Sequence, residues 1–233
     1  MLKLIGNQME NRQVISIIPA RGGSKRLPKK NILALNNKLL VEHSIDFAKS
    51  NLDIVDKIVV STDDEEIKQV ALKNNIEVID RPFELAADKA STISVLKHVL
   101  ETIDGHYDEV ILLQPTNPCR PKNLLQMAYK VYLESNVDSL MTVSSSDKKL
   151  GKIIDDAFIP YNYTMGQRSQ DLEPLFYENG LLYITKTKSI LEGHILGNNN
   201  HSYIVNHPYA DVDIDTLDDF KYAEFILTNY PNE

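Results

Sequence analysis

Apolar positions along this 233-residue chain fall into two alternating rhythms. Short runs rich in β-branched residues stand at 14–18, 57–61, 76–79, 110–113 and 139–143, each with the length of a buried strand. Between them apolar residues recur three and four apart, as Leu40, Val41, Ile45, Phe47 and Ala48 do within 39–50, and Leu124, Leu125, Ala128, Val131 and Tyr132 do within 122–134. That is the spacing of a helix with one face on a core. Two further helices are expected, one through Val70, Ala71 and Leu72 and one over 91–103. Strand–helix alternation with short turns predicts right-handed βαβ units and a mostly parallel sheet. Thr62-Asp63-Asp64-Glu65 has the S/T-x-x-E form of a capping box opening the second helix. Thr216 is expected to cap the last helix, with Asp218 and Asp219 in its first turn. Asn179-Gly180 reads as a turn that feeds a strand.

The rhythm breaks from Ser144 to about Tyr177, where neither period is clean. A stretch this long without pattern in a compact domain is functional or an exposed arm. No repeat, low-complexity tract or linker divides the chain, so one domain over 13–233 is expected, with residues 1–12 a loose leader lacking a signal-peptide core. A net charge of −8 argues against a general binder of nucleic acid or anionic membrane, and no apolar run has transmembrane length. Cys119, the single cysteine, excludes a disulfide framework and reads as a small partly buried residue. The expectation is a soluble cytoplasmic protein.

Two stretches carry chemistry. The first, I-P-A-R-G-G-S-K-R-L-P-K-K-N-I at 18–32, leaves the first strand and gathers Arg21, Lys25, Arg26, Lys29 and Lys30 around Gly22, Gly23 and Ser24. Glycines let successive N–H groups point into one concavity, and cations around such a nest suit a polyphosphate. A solvated basic loop is the bland alternative, but five cations concentrated in an acidic chain favour a ligand. Neither a P-loop nor a G-x-G-x-x-G motif can be drawn through it. The second stretch, A-D-V-D-I-D-T-L-D-D-F at 210–220, would place Asp211, Asp213 and Asp215 on one face if extended. Like charges so placed call for a cation, and Mg²⁺ suits one or two carboxylates plus water and phosphate oxygens; an exposed polar face is the other possibility.

The basic loop resembles the N-terminal signature of the CMP-sialic acid synthetases, the N-acylneuraminate cytidylyltransferases. Further segments match that family in order: R-P-F-E-L-A-A-D at 81–88, L-Q-P-T-N-P at 113–118, R-S-Q-D-L at 168–172, E-N-G-L-L-Y-I at 178–184 and I-D-T-L-D-D-F at 214–220. The resemblance implies a Rossmann-like α/β nucleotidyltransferase of glycosyltransferase-A type. It also implies a reaction of CTP with a nonulosonic acid, giving a CMP-sugar and pyrophosphate. By it, Arg21, Gly22, Ser24, Lys25, Lys30, Asn31 and Arg81 would bind CTP. Gln114, Arg168, Gln170, Glu178 and Asn179 would meet the sugar, and Asp213 and Asp215 would hold Mg²⁺. Arg21, Lys25 and Lys30 would share the catalytic work with that pair. Asp88 reads as ordering its loop, and Arg81 could instead pair with Glu84 or Asp88. The arm over about 145–177 corresponds to an inserted subdomain through which two chains pair and cover the partner's sugar site, so a homodimer is implied. Ser169 stands where the family pattern has an arginine. A 3-deoxy-manno-octulosonate cytidylyltransferase, a nucleotide-sugar-dependent glycosyltransferase and a catalytically dead nucleotide-binding regulator are the alternatives.

Overall fold

The computed structural model describes residues 12–230, so the expected leader lies, but for Arg12, outside the described residues, as does the C-terminal end at 231–233. Seven strands make the main sheet: β1 (Val14–Pro19), β4 (Lys57–Thr62), β5 (Glu77–Asp80), β6 (Glu109–Leu112), β7 (Ser139–Ser146), β10 (Leu175–Lys186) and β11 (Asn200–Ile204). Their spatial order is β11-β7-β10-β6-β1-β4-β5. β1 is central and pairs in parallel with both β4 and β6. Only β10 runs antiparallel, against β6 and β7. The sheet is mostly parallel, as the pattern predicts.

Strand alternation divides the interior into two layers. Val14 and Ile18 face a core made with helix α1 (Leu40–Lys49), helix α2 (Glu65–Lys73) and helix α5 (Leu124–Ser135). Ile15 and Ile17 face the opposite layer, with helix α4 (Thr92–Thr102) and helix α6 (Thr187–Glu192). The short helix α3 (Phe83–Ala86) buries nothing. A third, smaller core joins Leu27 of the basic loop, Cys119, Val212 and Ile214 to Phe220 and Ala223 of the last helix, α7 (Leu217–Asn229). This core binds the first chemistry-bearing stretch to the second.

Two local expectations are corrected. Thr62 does not cap α2: it is still strand, paired with Asp80, and the cap is Asp64, which accepts from Ile67 N at 3.0 Å. Asn179-Gly180 is not a turn but lies inside β10, where the pairing with β7 slips between Glu178 and Tyr183. Gly180 there has φ 73°, and a Cβ would lie 2.6 Å from Asn117 Oδ1, so only glycine fits. The patternless stretch contains a separate hairpin, β8 (Gly151–Ile154) with β9 (Ala157–Pro160). Its Ile153, Ile154, Phe158 and Ile159 are all exposed, so neither face alternates between core and water. The small pair β2 (Ala34–Leu35) and β3 (Lys38–Leu39) leads into α1. The expected cap of α7 is present as a full capping box between Thr216 and Asp219.

Parallel pairing brings the C-terminal ends of β1, β4, β5, β6 and β7 to one rim, and antiparallel β10 begins there. In an open α/β sheet this rim is where ligands bind.

Candidate active site

Within the basic loop, backbone freedom is not what the glycines supply. Neither Gly22 nor Gly23 has a positive φ; the left-handed residue is Lys29, at φ 55°. Gly22 is needed for close approach instead: its N–H donates to Asp63 Oδ1 at 3.0 Å, and a Cβ would sit 2.5 Å from Asp64 Oδ2. After Lys29 a single 3₁₀ turn, Lys30–Ile32, directs Lys30 and Asn31 inward, and both are buried. Asn31 Nδ2 donates to Arg21 O at 2.9 Å and so closes the loop on itself.

Lys30 reaches across to the aspartate segment. Its Nζ donates to Ile214 O at 2.7 Å and to Asp215 Oδ1 at 3.0 Å, while Arg26 holds Asp215 Oδ2 at 2.6 Å. On the other side of the loop, Arg21 lies 3.3 Å from Asp88 Oδ1, and the exposed Lys25 pairs with Asp88 Oδ2. Lys25 first, and Arg21 after it, hold the Asp88 carboxyl below its ordinary value, against a smaller desolvation effect. Arg81 is buried and gives its donors to Ser61, at 3.2 Å to Oγ and 2.6 Å to O; neither Glu84 nor Asp88 is its partner. Burial pushes its guanidinium down to about 10, with Asp63 opposing the shift.

Two cavities open on the rim. One, of about 510 Å³, is lined by Arg21, Ser24, Lys25, Lys30, Asn31 and Arg81, and by apolar Leu85 and Val95. Gly22 does not line it. The other, of about 1040 Å³, is lined by Glu178, Asn179 and Asp213 among the predicted residues. Gln114 and Thr116 line both, while Asp215 belongs to the first cavity and Asp213 to the second. The aspartate pair therefore straddles their junction. Alternation explains this locally: Val212 and Ile214 are buried in the third core, which turns Asp213 toward the rim.

Asp213 has solvent at its surface but stands between cavity walls. That desolvation raises its carboxyl above the ordinary value; Asp215 adds to the rise, while Thr116 and Lys30 oppose it. Among the described residues no group of three or more His, Cys, Asp or Glu gathers that could hold a metal by itself. Two carboxylates, one of them poorly neutralised, fit a hard divalent ion that completes its shell from water and phosphate oxygens.

Other predicted residues take different positions. Gln114 Nε2 lies 3.4 Å from Tyr183 OH, which in turn donates to Glu178. Asn179 is internal: Thr142 and the Leu181 N–H donate to its Oδ1, and its Nδ2 donates to Ser144 Oγ at 3.0 Å. It shapes the bulge of β10. Arg168 and Gln170 line neither cavity of their own chain. Arg168 makes a two-bond pair with Asp171, at 2.8 and 3.0 Å, on the exposed arm.

Several participants escape reading by motif. Arg26 was visible in the loop, yet only the fold shows its contact with Asp215. Arg120 is buried and donates to Gln114 O at 2.8 Å and Leu181 O at 2.7 Å, carrying the loop after β6 in a fixed position. Burial pushes its guanidinium down to about 9. The larger cavity also contains Asp147, Lys148, Tyr177, Asp211 and Tyr222. Cys119 is buried, with its thiol pushed up to about 12 by desolvation, which removes it from any nucleophilic role.

A family model described as "Cytidylyltransferase" matches residues 15–227. An N-acylneuraminate cytidylyltransferase of Streptococcus agalactiae is 35% identical over 213 residues, 88% of this chain and 51% of the relative. The chain thus spans about half the length of the first such relatives. A pseudaminic acid cytidylyltransferase of Campylobacter jejuni is 32% identical over 221 residues, 91% of this chain and 95% of that protein. A CMP-N,N'-diacetyllegionaminic acid synthase of Legionella pneumophila is 31% identical, covering 92% and 96%. Among solved structures, a CMP:2-keto-3-deoxy-manno-octonic acid synthetase complexed with CTP superposes with a TM-score of 0.70 at 15% identity, covering 93% of this chain and 98% of that one. A 4-diphosphocytidyl-2C-methyl-D-erythritol synthase from Anaerococcus prevotii gives 0.67 at 16%, covering 96% and 99%. At such identities the likeness concerns the fold, which is the Rossmann-like nucleotidyltransferase type.

Proposed function

This chain belongs to the cytidylyltransferase family, and we propose that it joins CTP to a nonulosonic, sialic-type acid, releasing pyrophosphate. The observation that carries this reading is the junction of the two cavities, with Asp215 on the basic side and Asp213 on the side lined by Glu178 and Gln114. A triphosphate laid along the basic loop would bring its α-phosphorus to that junction, where a sugar hydroxyl arrives from the other side.

In this mechanism the anomeric O–H of the sugar attacks the α-phosphorus, the bond to the oxygen bridging to the β-phosphate breaks, pyrophosphate leaves with that oxygen, and the hydroxyl proton passes to solvent water. Arg21, Lys25 and Lys30 neutralise the leaving pyrophosphate and Ser24 donates a hydrogen bond to it, with Arg21 and Lys25 exchanging Asp88 for phosphate oxygens. Asn31 and Arg81 keep the loop and its floor in place. Asp213 and Asp215 are the residues that would hold Mg²⁺, which when bound supplies neutralising charge at the α-phosphate. Positioning and electrostatics account for the rate, with no covalent enzyme intermediate.

Arg168 and Gln170 project from the arm and would reach the sugar of a second copy, so the proposed assembly is a homodimer. The outward Ile153, Phe158 and Ile159 of the hairpin supply an apolar surface for that pairing. No helix among the described residues is long and apolar enough to cross a membrane, and the proposed place of work is the cytoplasm.

The deciding assay is pyrophosphate release with CTP and Mg²⁺ across N-acetylneuraminate, KDN, legionaminate, pseudaminate and 3-deoxy-manno-octulosonate. Release with at least one of the four nonulosonates is the expected result. Release with the octulosonate alone, or with none, would overturn the reading. The loop can be tested separately: Gly22→Ala puts a Cβ against Asp64. It should raise the KM for CTP about tenfold, the effect of about 1.4 kcal/mol, and leave the KM for the sugar unchanged. An unaltered CTP KM would show that Gly22 does not shape the phosphate site.

A further inference from the structure

Asp211 stands outside the aspartate pair assigned above, yet it lines the larger cavity together with Tyr177 and Tyr222. It is the last residue of a 3₁₀ turn, Pro208–Asp211, and Val212 after it is extended and buried. Asp211 and Asp213 line the same cavity, and their Cα atoms stand roughly 6–7 Å apart across extended Val212. That separation is about the width of a pyranose ring. The Tyr177 hydroxyl donates to Asp211 Oδ1. Burial and this contact push the Tyr177 phenol up to about 12, so it stays a donor at neutral pH. One carboxylate oxygen is thus held, and acceptor capacity remains for a ligand.

A carboxylate in a cavity meant for an anionic sugar is costly unless it is used. The cavity already contains Asp147, Glu178 and Asp213, and Lys148 is its single cationic side chain among the described lining residues. In a nonulosonic acid the reacting hydroxyl and the carboxylate sit on the same carbon. A productive pose therefore places both at the junction, near Lys30 and Arg26, and turns the rest of the ring toward Asp211. The reversed pose would press carboxylate against carboxylate.

We infer that Asp211 is a specificity-determining residue for the sugar: it accepts a hydrogen bond from a hydroxyl or N–H about one ring width from the anomeric carbon, and it repels the reversed pose. Tyr177 is its positioning residue. This rests on the cytidylyltransfer reading above.

The test is steady-state kinetics of the full chain with CTP and whichever nonulosonate it accepts. Asp211→Ala should raise the sugar KM about tenfold, as expected for loss of a hydrogen bond to a charged group. The CTP KM, kcat and the thermal midpoint should stay at wild-type values. Asp211→Asn, which keeps an acceptor, should recover part of the loss, and Tyr177→Phe should show a smaller rise of the same sign. An unchanged sugar KM in Asp211→Ala overturns the inference. So does a parallel rise in both KM values with a lowered thermal midpoint, which would make Asp211 merely structural. A wild-type chain silent with every nonulosonate is a separate outcome, visible before any variant is made, and removes the reading on which the inference rests.

Discussion

Asp215→Ala is expected to slow pyrophosphate release about 10³-fold, because in the proposed mechanism it removes a group worth several kcal/mol of charge stabilisation at the transferring phosphate. Its geometry makes the consequence twofold. Asp215 accepts from Lys30 at 3.0 Å and from Arg26 at 2.6 Å, so the alanine also releases two cations at the mouth of the proposed triphosphate site. CTP should therefore bind the variant at least as well as the wild type while turnover collapses. Single-turnover kinetics beside a direct CTP titration separate the two quantities. Activity surviving the substitution would place the metal-holding carboxylates elsewhere; lost CTP binding would mean that Asp215 chiefly orders the loop. Asp219 will not substitute for it, since its Oδ2 is already committed to the N–H groups of Asp215 and Thr216.

The second large effect belongs to Lys30→Met. Methionine keeps the length and the apolar stem but removes an amine that lies buried between Ile214 O and Asp215. The Ile214 carbonyl loses a donor, at a cost of about 1–3 kcal/mol for a buried group. A cation paired with Asp215 is gone as well. We expect kcat/KM for CTP to fall about 10²-fold, the scale of removing one preorganised electrostatic contact, with a lowered thermal midpoint. Lys30→Arg should not restore it, because the buried slot fits an ammonium and not a planar guanidinium. A variant with normal kcat/KM would show that Lys30 is only a brace.

Much of this was legible along the chain because the central strands β1, β4 and β6 are buried on both faces and the long helices on one, so hydrophobic spacing reports them directly. What escaped was set by contacts remote in sequence. Thr62 has the residue type of a cap, but pairing with Asp80 keeps it in the strand and passes the cap to Asp64. Asn179-Gly180 has the composition of a turn, yet the demand for close approach to Asn117 puts the glycine in mid-strand. The hairpin of the arm exposes apolar residues on both sides, so no period could reveal it. The candidate site follows the same rule. Lys30, Asn31 and the aspartate pair could be selected from motifs, whereas Arg26, Arg120, Tyr177 and Asp211 acquire their roles only when distant segments meet.

The contact between Lys30 and Asp215 joins residues 185 positions apart. A ribosome makes the basic loop well before the aspartates, so the nascent chain carries the loop proposed to hold phosphate long before it carries the carboxylates that face it. The third core repeats the arrangement, since Leu27 waits for Val212, Ile214 and Phe220. A nascent chain that stops short of Asp213 would therefore carry the basic loop without the carboxylates that face it.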